Sequence, residues 1–209
     1  MRKKKSEILN IIKEEIISNY RSYILVIILF SVGLFLGVLF INQTENQENV
    51  IKYINTYIDE IKISESNSTI VQLKTDIKNN IFLVFILWFA GTTIVGIPIV
   101  FGIIIARGFC LGYTISAIIT ILGLPKGIAF VLLSLVLQDI ILIPAIIAIA
   151  VSGFKLYKSI VKNRDRENIK MEILRHTIFS LIMLVLLCIA ALVETFISTN
   201  LLKKFLKYF

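Results

Sequence analysis

The chain has 209 residues, of which 57% are hydrophobic and only 17% charged, against about 45–50% and about 25% in a soluble domain. Mean hydropathy is +0.87. These values, with five nearly charge-free runs of roughly 16–26 residues, exclude a soluble enzyme, a nucleic-acid-binding domain and a disordered chain. The expectation is an all-α, polytopic membrane protein with about five transmembrane helices plus amphipathic helices. The net charge of +8 lies between the apolar runs, which suits an anionic lipid leaflet rather than a nucleic-acid face. Cys110 and Cys188 lie within apolar runs as small hydrophobes, not as a disulfide or metal pair.

Residues 1–22 are basic, and Ile8, Ile12 and Ile16 recur at helical spacing opposite Lys13, Glu14 and Glu15. That pattern predicts an amphipathic helix on the cytoplasmic membrane surface. The first span covers 23–41, and no A-x-A-like cleavage site follows it, so it reads as an uncleaved anchor. Residues 42–80 form an extracytoplasmic loop, within which Val50, Ile51, Ile54, Tyr57, Ile58 and Ile61 predict a second amphipathic helix. Its six acids and four lysines, with apolar residues on one face, suit a partner's groove or the lipid surface equally.

A glycine-rich membrane core of three apolar segments covers 81–152. The first runs from Ile81 to Ala106 and is broken by Gly91, Gly96, Pro98 and Gly102. Arg107 and Gly108 interrupt it, and Phe109–Leu124 continues to the turn Pro125-Lys126-Gly127. The third segment begins at Ile128. A basic cytoplasmic loop (153–176) and a last span with its tail (177–209) complete the chain. With the N-terminus inside, the cytoplasmic segments hold fourteen Lys and Arg and the other side eight, so the N-terminus is placed in the cytoplasm. Phe109–Leu124 is short for a span, and a re-entrant segment there would bring the C-terminus inside as well.

Gly33/Gly37, Gly108/Gly112 and Gly123/Gly127 each have G-x-x-x-G spacing, which lets helix backbones approach closely. They suit packing within a bundle, or a pore or oligomer face. Charge at membrane depth costs about 2.5–3.5 kcal/mol on insertion scales, so Asp139 and Glu194 each need a role. The alternatives are proton relay or ion coordination, and a protonated or hydrogen-bonded carboxyl that pins helices, with Gln138, Ser134 or Thr195 as partners. Asp139 is the only aspartate in these spans, so the carboxylate pair of an intramembrane aspartyl protease is not expected. His176 reads as an interfacial residue rather than a metal ligand. No serine or threonine is flanked by a His and Asp that could activate it. A non-enzyme with no cofactor and no metal is expected.

The segments ARGFCLGYTIS (106–116), GLPKG (123–127), VLQDIILIPA (136–145) and ALVETFIS (191–198) resemble, in order and spacing, the stage II sporulation protein M family. Broader relatives carry a Pro-His-Gly…Glu pattern where Leu137-Gln138-Asp139 stands here, so no histidine role transfers. The resemblance carries Asp139, Pro144 and Glu194 over as candidate structural or partner-binding positions, beside Gly108 and Gly112 from their spacing. It implies a multi-pass protein of the mother-cell and septal membrane during sporulation. There, in engulfment, it would recruit two peptidoglycan-degrading partners, stage II sporulation proteins P and D. The alternative from the residues alone is a small ion or solute channel or transporter component using Asp139 and the helix broken around Pro98.

Overall fold

In hydrocarbon every backbone N–H and C=O must be satisfied within the segment, so the apolar runs have only the helix open to them. The computed structural model describes residues 19–41, 52, 56, 66–162, 166–193 and 195. Within them lie α1 (Tyr20–Ile41), α2 (Ser66–Gly91), α3 (Gly96–Leu122), α4 (Leu124–Val131), a π-helical turn (Leu132–Val136), α5 (Leu137–Lys162) and α6 (Arg166–Val193). Four stretches are long and apolar enough to cross a bilayer: Tyr20–Ile41, Gly96–Leu122, Asp139–Val161 and Ile169–Leu192. The protein is a polytopic, all-helical membrane protein. Both amphipathic helices expected on either side of α1 lie outside the described residues, apart from Asn19, Tyr20, Lys52 and Thr56.

The glycine spacing decides how α1 meets α3, the most extensive helix contact in the structure. A Cβ on Gly33 would collide with the backbone of Ile105, and one on Gly37 with that of Phe109. Reciprocally, Gly108 lies against the Phe30 backbone and Gly112 against that of Leu34. Residue numbers rise together along both helices, so α1 and α3 run parallel. Two G-x-x-x-G motifs thus form one backbone-to-backbone seam, and the expected packing role of Gly108 and Gly112 is filled inside the chain. Gly123 and Gly127 act differently. Gly123 takes a φ of +79°, which only glycine adopts freely, and ends α3. Pro125 then sits in the first turn of α4, where its missing N–H is no loss.

Parallel α1 and α3 oblige the intervening chain to return, and α2 makes the return. Paired contacts with α6 (Asn80 with Leu187, Trp88 with Thr177, Gly91 with His176) show α2 and α6 running antiparallel. Close approach of Gly91 to Gly153 joins α2 to α5. The helix sequence is therefore up-down throughout, with Ser22, Gly91, Gly96, Gly153 and His176 near one end of the bundle. A buried core of Val26, Leu87, Val100, Ile104, Ile146 and Leu187 runs through it. A smaller cluster around Ile118 and Phe130 closes the opposite end. Phe35, Phe82, Phe85 and Phe89 face outward, where lipid tails are their natural neighbours.

The segment boundaries differ from the expected ones. The chain breaks at 92–95, not at Arg107-Gly108, and Arg107 lies inside a continuous α3. Residues 109–122 are the second half of that helix rather than a separate or re-entrant segment. Pro98 does not break a helix at mid-membrane, because it stands in the first turn of α3, where proline is tolerated. The polar stretch before Asn80, expected in a loop, is the first half of α2. Removing Arg107 from the loops leaves the sign of the Lys and Arg asymmetry unchanged.

The seam sets a mutational contrast. Gly33→Ala or Gly108→Ala should destabilise by about 1–3 kcal/mol, the usual cost of overpacking. Gly102 has no heavy atom near its missing Cβ, so Gly102→Ala should be neutral or stabilise by up to about 1 kcal/mol through helix propensity. Thermal unfolding of the three purified variants in one detergent measures both effects.

Candidate functional site

Arg107 is the feature that organises the interior. With a rise of about 1.5 Å per residue, it stands about 16 Å along α3 from Gly96. By the same measure Asp76 is about 22 Å along α2 from Gly91, and Asp139 about 21 Å along α5 from Gly153. All three therefore stand within about 6 Å of one another in level along the bundle. Arg107 lines two cavities. One, of about 180 Å³, is bounded by Phe30, Cys110, Thr114, Asp139, Leu142 and Ile143 among others. The second, of about 390 Å³, is bounded by Asp76, Asn79, Asn80, Ile103 and Leu142 among others. The guanidinium-bearing residue thus stands between two carboxylates that share no cavity.

Among the described residues no ion pair within 4.0 Å joins Arg107 to either aspartate, the one described ion pair being Arg175 with Glu172 at 3.2 Å. Asp76 Oδ2 is buried and has no hydrogen-bond partner. Asn80, beside it, donates from Nδ2 to the Leu187 carbonyl at 3.2 Å and ties α2 to α6. Two backbone irregularities flank Asp139 on α5. The π-helical turn at 132–136 precedes it, and such turns recur at functional sites. Pro144 follows it inside the helix and cannot donate to the Ile140 carbonyl one turn earlier.

A second polar junction lies near the Gly91 end. His176 is 1% exposed, so at this end of the bundle its side chain is packed between helices. Its Nδ1 lies 2.9 Å from Ser152 Oγ. Nε2 turns to the α2 backbone, where a Cβ on Gly91 would lie 2.8 Å away and also 3.1 Å from Gly153 Cα. Trp88 Nε1 donates to Thr177 Oγ1 at 3.0 Å. Three helices meet here because two glycines make room for one imidazole. Below it Lys158 donates to Ser22 Oγ at 3.1 Å and stands 4.3 Å over the Phe154 ring.

The residues singled out in sequence fall in different places. Gly108 and Gly112 join Gly33 and Gly37 in the seam. Asp139 meets Arg107, Cys110 and Thr114 across a cavity. Pro144 is exposed on α5, and Glu194 lies outside the described residues. Sequence reasoning missed Arg107, Asp76, Asn80 and His176. Pro98 as a helix start and Gly123-Leu124-Pro125 as its stop would have framed α3 and put Arg107 at its centre. Asp139 is the only aspartate in the four stretches long and apolar enough to cross a bilayer, and Asp76 on α2 lies at a similar level along the bundle. Among the described residues no three His, Cys, Asp or Glu side chains converge as a metal site requires.

These features define a multi-pass helical membrane protein with a charged centre in its interior. A family model described as stage II sporulation protein M matches residues 26–199, and the chain belongs to that family. It is a sporulation-related membrane protein. No curated protein and no solved structure matches it.

The junctions around α2 can be weighed. Asn80→Leu removes one interhelical hydrogen bond and should cost about 0.6 kcal/mol, and at most about 1.7. Gly91→Ala drives a methyl toward His176 and Gly153 and should cost about 1–3 kcal/mol. Denaturation midpoints of the two variants should fall in that order.

Proposed function

We propose that this chain is a non-enzymatic membrane scaffold of the sporulation engulfment machinery. It recruits peptidoglycan-degrading partners, stage II sporulation proteins P and D, and positions them at the septal membrane. The partners break bonds in the wall, and this chain fixes where they act. The observation that carries this reading is the family match across 26–199 on a chain built almost entirely of packed helices. A rigid backbone seam supports it physically, because a partner held by close-packed membrane helices keeps a fixed distance from the wall. The 42–65 segment supplies acids, lysines and apolar residues for contact on the wall side.

The reading predicts that scrambling residues 48–62 lowers co-purification of the two partners with the chain from sporulating cells. Unchanged recovery would remove the segment from the interface. The purified chain alone should release no fragments from isolated sacculi, and release of glycan or peptide would overturn the scaffold reading.

The cavities favour one alternative, a small ion or solute channel or transporter component using Asp139. Flux of protons or ions through liposomes carrying the protein, abolished in Asp139→Asn, would support it over the scaffold. A scaffold shows little flux in either form.

A further inference from the structure

We propose that Asp76, Arg107 and Asp139 form one proton-binding site inside the helix bundle, in which the two carboxyls hold a single exchangeable proton across the guanidinium. The argument is independent of the scaffold reading and begins with charge. Arg107 remains protonated under any ordinary condition. It lines both cavities, with one aspartate on each. Around it α2 brings Asp76, while Lys74 and Lys78 of the same helix are exposed on its outer flank. Helix α3 adds the Cys110 thiol, α5 brings Asp139, α1 contributes the apolar Phe30, and α6 supplies no residue to either lining.

With both carboxyls ionised the site carries a net charge of −1 in a medium that penalises it. With one of them protonated it is neutral, and the remaining carboxylate balances Arg107. The transfer is a simple protonation. One proton leaves water and bonds to a carboxylate oxygen, and it returns to water when the site opens to higher pH. Geometry supports uptake at either side. Asp76 Oδ2 is buried without a hydrogen-bond partner, so it can receive the proton or donate it onward. Asp139 sits between a π-helical turn and Pro144, where the helix leaves carbonyl acceptors free for a protonated carboxyl or for water. Leu142 lines both cavities and separates them, which leaves the Arg107 side chain as the polar connection.

Sharing makes a prediction that independent carboxyls do not. Infrared difference spectra between neutral and alkaline buffer, on the full chain in lipid vesicles, should show the carbonyl band of one buried protonated carboxyl. Asp76→Asn and Asp139→Asn should each abolish it, because the remaining carboxylate stays ionised beside Arg107. Arg107→Gln should double it, because each acid then takes its own proton. A band that survives either Asn substitution, or is unchanged in Arg107→Gln, overturns the proposal. The native fold offers a second arm through Cys110, which lines the Arg107–Asp139 cavity. In a Cys188→Ser background a small charged thiol reagent should label Cys110 in the folded, vesicle-bound protein. Labelling only after unfolding would mean a dry cavity without proton exchange, and would equally overturn it.

Discussion

Close backbone contact between α1 and α3 is the constraint on which the rest of the structure depends. Four glycines, Gly33, Gly37, Gly108 and Gly112, remove the side chains that would hold the two helices apart. Inside a bilayer, burial of apolar surface gives no reason for one helix to prefer another over lipid, so packing at short range and interhelical hydrogen bonds must supply it. The seam supplies it, and it also fixes direction. Because α1 and α3 lie parallel, the chain between them must come back along the bundle, and the polar first half of α2 is carried alongside Arg107 of α3 and Leu142 of α5.

That placement explains the interior polarity. Helix α2 would be a poor membrane helix alone, with Lys74, Asp76, Lys78, Asn79 and Asn80 in one stretch. Within the bundle Asp76, Asn79 and Asn80 turn to a cavity, and Asn80 bonds to α6. The two lysines stay on the outer flank, from which a long flexible side chain can carry its ammonium toward the polar boundary. Arg107 on α3 meets these groups on one side and Asp139 on the other. A charge that would be prohibitive against lipid is tolerable where other charges and dipoles surround it.

The polar centre and the His176 junction lie at different levels and do different physical work. At the junction, Gly91 and Gly153 let α2 and α5 touch, and the imidazole of α6 fills the remaining space while reaching Ser152. It is a packed joint with little room. The cavities around Arg107, by contrast, leave volume beside charged groups. The rigid joint and the roomy centre thus stand in one bundle. The scaffold function proposed for this member of the stage II sporulation protein M family needs the first, and the proton site proposed here needs the second.

Composition alone determined that the chain is helical and membrane-embedded, since long charge-free runs have no other stable state in hydrocarbon. Spacing alone marked Gly33/Gly37 and Gly108/Gly112 as sites of close approach. Which motif met which, and whether inside one chain, was decided only by the fold, because G-x-x-x-G states what a helix permits and not what it touches. The same limit hid Arg107 and Asp76. A hydropathy window treats a charge as the end of a span, and it cannot register that carboxylates on two other helices stand ready to receive one. The packing of His176 was hidden for a related reason: the space it occupies is made by two glycines on different helices, a vacancy that exists only after the helices have packed.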